Sequence, residues 1–180
     1  MTQATPTVLL EHYLKRLKLP TMLREYAQVA AACTQDRSDY ATYLLRLVER
    51  EVIEREHRAA ERRIKAAGFP VLKTLETFDF AEQPSVNEAL IRELMRGEYI
   101  PARENVLLVG NSGTGKTHLA CALAFAACAQ GRRVRFFTVP GLVTKLLEQR
   151  EERSLERLQR QLERQDLLVL DELGYVPFSK

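Results

Sequence analysis

The sequence predicts an α/β protein, a small parallel sheet flanked by helices, preceded by a region that is helical throughout. Three observations point there. Asn105–Val109 is a short apolar run that passes directly into a glycine-rich loop and then an alanine-rich helical pattern. Asp166–Leu170 is a second such run, closed by the acids Asp171 and Glu172. Residues 1–68 carry apolar residues at helical spacing. Short, nearly continuous apolar runs are what strands buried on both faces look like.

Composition bounds the rest. Of 180 residues, 46% are hydrophobic and 28% charged, with a net charge of +3; this is a globular mixture that permits nucleic acid as a partner without demanding it. No run approaches the ~18 apolar residues of a membrane span, and no signal peptide is visible at the N-terminus. Cys33, Cys121 and Cys128 are scattered and odd in number, which suits a reducing cytoplasm. Cys121 and Cys128 are seven apart on one helical face; small core hydrophobes are the expectation, since nothing completes a metal site.

From the N-terminus, Leu10, Leu14 and Leu17 mark a first helix, and Pro20 sits where a second, over roughly residues 20–33, can begin. Ser38 or Asp39 can cap a third. Its expected apolar face is Tyr40, Tyr43, Leu44, Leu47 and Val48, and Glu49–Lys65 is densely charged. Gly68 and Pro70 stop it. Residues 69–84 read as a linker carrying Phe78-Asp79-Phe80. Ser85-x-x-Glu88 matches a capping box, with Val86, Leu90, Leu94 and Met95 as the buried stripe and Gly97 as a stop. The domains expected are a helical region over 1–68, a linker and capped helix over 69–104, and a nucleotide-binding core over 105–180.

The chemistry lies in Gly110-Asn111-Ser112-Gly113-Thr114-Gly115-Lys116-Thr117, which satisfies G-x-x-x-x-G-K-[ST] between strand and helix,. A polyphosphate needs many inward-pointing donors. Gly110, Gly113 and Gly115 let backbone N–H groups curl around it, and the helix that follows presents its positive end. Lys116 would neutralise the β- and γ-phosphates, and the Thr117 hydroxyl would ligate Mg²⁺. His118 follows within reach of phosphate, although packing within the helix is the expected role. Asp171 at its strand tip would hold the same Mg²⁺, and Glu172 would polarise the attacking water. Loop and acidic strand end together indicate an ATP or GTP site.

Arg133–Thr138 reads as a further strand, and Gly141–Arg164 as one or two helices. Arg150, Arg153, Arg157, Arg160 and Arg164 recur at alternating spacings of 3 and 4, so they share one face of a continuous helix, opposite Leu155, Leu158 and Leu162,. Two readings stand: a solvated face with Glu156–Arg160 pairing, or a row of phosphate contacts to nucleic acid with steep salt dependence.

Gly110–Ala120, Asp166–Tyr175, Ala67–Pro70 and Lys73–Phe80 resemble the IstB-like ATP-binding proteins, helper ATPases of insertion-sequence transposition, along nearly the whole chain. The loop and strand motif are also similar to those of DnaC-type helicase loaders. The resemblance implies a P-loop NTPase core of the AAA+ type, with three layers around a parallel sheet, and ATP as the nucleotide. It implies a homo-oligomer assembled on duplex DNA, cooperation with a transposase, a helical N-terminal region contacting DNA, partner or neighbour, and Phe78 and Phe80 passing near adenine. A sensor strand expected between the loop strand and the Asp171 strand would lie beyond Lys180. On that expectation the chain is C-terminally truncated, its turnover is poor, and the strands ending at Val109 and Leu170 either pair directly or leave the core loose. A helicase loader, an inactive remnant and a small-molecule kinase are the alternatives; the helical N-terminus argues against the last.

Overall fold

The computed structural model describes residues 6–149 and 152–175. The chain divides into two units, Met1–Ala59 and Ala60–Lys180, and the boundary falls within the long third helix.

The first unit holds α1 (Pro6–Arg16), α2 (Pro20–Gln35) and the beginning of α3 (Tyr40–Ala67). Pro20 opens α2 at the position where its missing N–H costs nothing,. Asp39 starts α3, its Oδ1 accepting from the Thr42 N–H at 2.8 Å, and these hydrogen bonds hold its carboxyl below the usual range. Val29, Cys33 and Leu47 form the core, with Met22, Tyr26 and Tyr43 against them. The expected apolar faces are only partly used. Leu14 is buried, whereas Leu10, Leu17, Leu44 and Val48 are exposed and Tyr40 is 94% exposed.

A charge takes the place next to Leu47 instead. Glu51 is only 3% exposed. Its Oε2 accepts from the Thr21 and Met22 N–H groups at 2.8 and 3.0 Å, and Oε1 faces Arg58 at 3.4 Å and Arg55 at 3.7 Å. A glutamate from α3 thus supplies the anion and acceptor that the start of α2 lacks locally,.

In the second unit, α3 ends at Gly68, whose φ of +76° closes it in the left-handed region,. A 3-10 turn (Leu75–Thr77), α4 (Glu88–Leu94) and α5 (Tyr99–Ala102) lead to the loop, and then to α6 (Lys116–Ala129). The sheet pairs β1 (Val134–Thr138) with β2 (Leu167–Asp171) in parallel, Val134 opposite Leu167 through Thr138 opposite Asp171. The helices α7 (Val139–Glu148) and α8 (Glu152–Glu163) connect them. Arg133 and Asp166 lock the entry to both strands. The Asp166 carboxylate accepts from the Arg133 N–H at 2.7 Å and pairs with its guanidinium at 3.3 Å.

The position of α6 organises this unit. Ala124, Ala127 and Cys128 pack with Ala67 and Val134, while Leu119 and Ala122 pack with Leu75 and Ile91. Two buried faces explain a helix that is apolar nearly all round. Each buried leucine there contributes about 1.5–3 kcal/mol. Cys121 and Cys128 are indeed small core residues, unpaired and buried, and burial pushes both thiols up.

Five expectations are corrected. The cap of α4 is Asn87, whose Oδ1 accepts from the Leu90 N–H at 3.1 Å; Ser85 instead lies in a turn closed by the Val86 N–H and the Gln83 carbonyl. The later start turns Ile91 inward beside Leu94 and Met95, and leaves Leu90 exposed. Residues 69–84 are more than a spacer, since Leu75, Phe78 and Phe80 belong to the core beside α6. Asn105–Val109 forms no strand: the sheet of the described residues has two strands, and Leu107 and Val109 are 80% and 91% exposed. A strand exists only with a ladder partner, and no described residue pairs with this one. Direct pairing with β2 does not occur; a cavity of about 960 Å³, lined by both segments, lies between them.

Candidate functional site

The site forms where three pieces of the second unit converge: the loop Gly110–Gly115, the first turn of α6 and the C-terminal end of β2. Gly115 sits at φ +79° and hands the chain to α6. At that angle an L side chain is strained, and an added Cβ would stand 2.6 Å from Phe78 Cε2,. The Asn111 carbonyl cinches the loop, accepting from Thr114 Oγ1 at 2.8 Å and from Lys116 Nζ at 2.5 Å. Lys116 thereby folds over the loop it follows and lines the cavity.

Thr117 is the junction. Its hydroxyl donates to Asp171 Oδ2 at 2.8 Å, joining residues 54 apart in sequence. The strand places Asp171 there because β2 ends beside the helix start. Both ligands are oxygens, the set a hard divalent cation takes. Among the described residues no group of three or more His, Cys, Asp or Glu side chains forms a metal site. A cation here would therefore depend on phosphate and water for the rest of its shell. The fit to Mg²⁺ held with a nucleotide is good, and the fit to a resident structural metal is poor.

Glu172 follows on the cavity wall, exposed and at φ +61°. A non-glycine residue in that region is uncommon, and such strain concentrates at functional sites. Ser112 and Gly113 also line the cavity. His118 lines it too, but commits its Nε2 elsewhere, 2.9 Å from the Thr74 carbonyl oxygen and 3.1 Å from Thr77 Oγ1. Phe78 meets the His118 ring edge-on at 5.2 Å.

The structure thus brings together Lys116, Thr117, Asp171 and Glu172 with the loop. Of the arginine row, only Arg153, Arg157 and Arg160 fall on one helix, α8. Gln149 closes α7, its N–H bonded to the Lys145 carbonyl, and α8 starts at Glu152, so no continuous helix spans residues 141–164. Arg150 and the side chain of Arg153 lie outside the described residues. Arg157 and Arg160 are exposed on α8, Arg160 pairing with Glu156 at 2.9 Å, and Arg164 sits in the turn beyond. Leu158 is the buried anchor of that helix, whereas Leu155 is exposed.

Composition and spacing gave the Thr74–Phe78 turn no part in the site, and only the family resemblance brought Phe78 near it; Phe78 lines the cavity, and Phe80 is not among its lining residues. The turn's contacts join residues 41 and 44 apart, and the only local signal is an aromatic pair in a segment that reads as a linker.

A glycine loop between an apolar segment and a buried helix, facing an aspartate at a parallel strand end, defines a P-loop NTPase-like α/β protein. The comparisons agree: residues 12–180 match the IstB-like ATP binding protein family, and the chain belongs to it. It is 37% identical over 167 residues to a protein of Geobacillus stearothermophilus named for ATP binding in insertion sequence IS5376, covering 93% of this chain and 66% of that one. It is 36% identical over 171 residues to the corresponding IS21 protein of Pseudomonas aeruginosa, covering 95% and 64%. With an insertion-sequence ATP-binding protein of Sinorhizobium fredii it shares 38% over 164 residues, covering 91% and 55%. The chain thus spans about two thirds or less of the length of these relatives. Among the described residues no helix is long and apolar enough to cross a membrane.

Proposed function

We propose that the chain binds ATP with Mg²⁺ and serves as a cytoplasmic helper ATPase of DNA transposition, assembling as an oligomer on duplex DNA and cooperating with a transposase. The observation that carries the nucleotide part is the 2.8 Å contact between Thr117 and Asp171 directly beside the loop. It sets a hydroxyl and a carboxylate beside the loop, which supports a counter-ion shared with a bound polyphosphate. Mg²⁺ held there by Thr117 and Asp171 would screen the β- and γ-phosphate charge.

The chain's own groups divide the remaining work. Loop amides and the start of α6 bind the phosphate oxygens. Lys116 exchanges the Asn111 carbonyl for phosphate, which replaces a neutral acceptor by an anion and strengthens the bond. Glu172 orients the attacking water and accepts its proton. The family membership and the names of the relatives, each tied to ATP binding in an insertion sequence, support the transposition setting. The exposed Arg157, Arg160 and Arg164 supply a place for phosphate contacts to DNA.

The test is nucleotide binding and hydrolysis, with and without duplex DNA, for the chain and its Lys116→Ala and Glu172→Gln variants. Lys116→Ala should weaken ATP binding at least tenfold, and Glu172→Gln should bind normally while turning over about a hundredfold more slowly. Unchanged behaviour of both variants would remove the site assignment.

A further inference from the structure

His118 stands in the first turn of α6, one residue after Thr117, yet its ring faces the Thr74–Phe78 turn. Thr77 Oγ1 already donates to the Thr74 carbonyl at 2.9 Å. The 2.9 Å approach of His118 Nε2 to the same carbonyl oxygen therefore requires a proton on Nε2, since two acceptors would repel,. The turn answers with an aromatic contact. Phe78 packs edge-on to the histidine, and against Phe80 at 4.8 Å between centroids. It lies so close to Gly115 that no Cβ fits between them. Beneath, buried Leu75 joins Leu119, Ala122 and Ile91. One hydrogen bond, one ring contact and one apolar anchor thus fasten the turn to the residue where the loop becomes helix.

Resting on the nucleotide reading above, we infer that His118 is a positioning residue. It holds the turn down, so that Phe78 fixes Gly115 and aims the amides of Lys116 and Thr117 at the phosphates. Binding of Mg·ATP and ordering of residues 74–78 are then one coupled equilibrium: a ligand that needs the loop fixed stabilises the turn, and a turn held in place raises affinity by the same factor. Glutamine can replace histidine in this role, because its side-chain amide offers an N–H at a similar reach. Alanine cannot.

The experiment uses the full chain, measuring equilibrium Mg·ATP affinity and amide hydrogen exchange of residues 74–78 with and without Mg·ATP. Wild type should bind, and binding should slow exchange in the turn. His118→Ala should bind about tenfold more weakly and lose the nucleotide-dependent protection, while His118→Gln should return to within about threefold of wild type. Thr77→Val, an isosteric change at an exposed residue, should weaken affinity about threefold, and it carries the test if His118→Ala does not fold. Wild-type affinity in His118→Ala or in Thr77→Val overturns the inference and leaves the nucleotide site standing. So does a His118→Gln variant as weak as the alanine variant. Absence of binding by wild type, indistinguishable from Lys116→Ala, overturns both.

Discussion

Gly115 carries more constraint than any other residue of the loop. Its left-handed φ and the Phe78 ring both exclude a side chain, so Gly115→Ala should cost about 1–3 kcal/mol in urea unfolding and weaken ATP binding as well. Gly115→Ala combined with Phe78→Leu should recover part of that cost, since it relieves the clash and keeps the backbone strain. Recovery to wild-type stability would show that φ is not the limiting factor. Thr117 and Asp171 divide differently. Neither is strained, and their contact needs only a β2 that ends beside α6. Asp171→Asn should retain the fold and lower affinity for Mg·ATP more than for ATP in the presence of a chelator, measured by titration under both conditions.

At the level of elements, the joints are made by single charged groups. Glu51 serves the start of α2 from another helix, with its carboxylate buried and paired. Glu51→Ala leaves the Thr21 and Met22 N–H groups without their acceptor and removes the charge partner of Arg58, and should cost the fold about 2–4 kcal/mol,. Glu51→Gln, which keeps an oxygen in place, should cost less. Denaturant midpoints of the two variants decide this.

The pair at the entry to the sheet has a pH signature. Hydrogen bonds from Arg133 hold the Asp166 carboxyl below its usual value. A depressed folded pKa stabilises above the unfolded pKa, near 3.8, and that stabilisation disappears as pH falls through the lower folded value. Asp166→Asn should therefore be less stable than wild type at pH 7 by about 0.5–1 kcal/mol, allowing for a partly exposed pair. The gap should narrow as pH falls below 3.8 and through the lower folded value.

Across the whole molecule, burial follows from which segments find partners. Leu119 is enclosed between α4, the 3-10 turn and α6, and Leu119→Ala should cost about 2–4 kcal/mol. Leu107 has the same hydrophobicity but stands 80% exposed on the wall of the cavity beside β2, so Leu107→Ala should stay within about 0.5 kcal/mol. Comparable losses at both sites would mean that the loop segment packs in solution as a strand. The proposed DNA contact also belongs to this scale, because it depends on summed charge. Arg157→Glu with Arg160→Glu should weaken duplex binding and lower the slope of log affinity against log salt by about 2. A slope unchanged by the double variant would move the contact elsewhere.

Much of the site was legible in the sequence, since phosphate chemistry is local. Gly110–Thr117 is one continuous stretch whose residue types are dictated by donors, backbone angles and a helix start. Asp171-Glu172 closes an apolar run, Leu167–Leu170, that does pair as a strand. Helix positions were legible for the same reason: Pro20, Asp39 and Gly68 act on their own neighbours. The corrections fall where an outcome depends on what packs alongside. Asn87 rather than Ser85 caps α4, Asn105–Val109 has strand composition without a strand to pair with, and one helix, α8, carries three of the five arginines rather than all of them.

The sequence by itself determined the class of protein, the loop and the identity of the groups in it, because each follows from a residue and its immediate neighbours. Only the tertiary structure decided that Thr117 meets Asp171, that Glu51 caps a helix other than its own, and that His118 binds the Thr74–Phe78 turn. Such contacts join residues separated by 30 to 54 positions. No periodicity or motif encodes a separation of that kind; it is set by which buried faces must pack together.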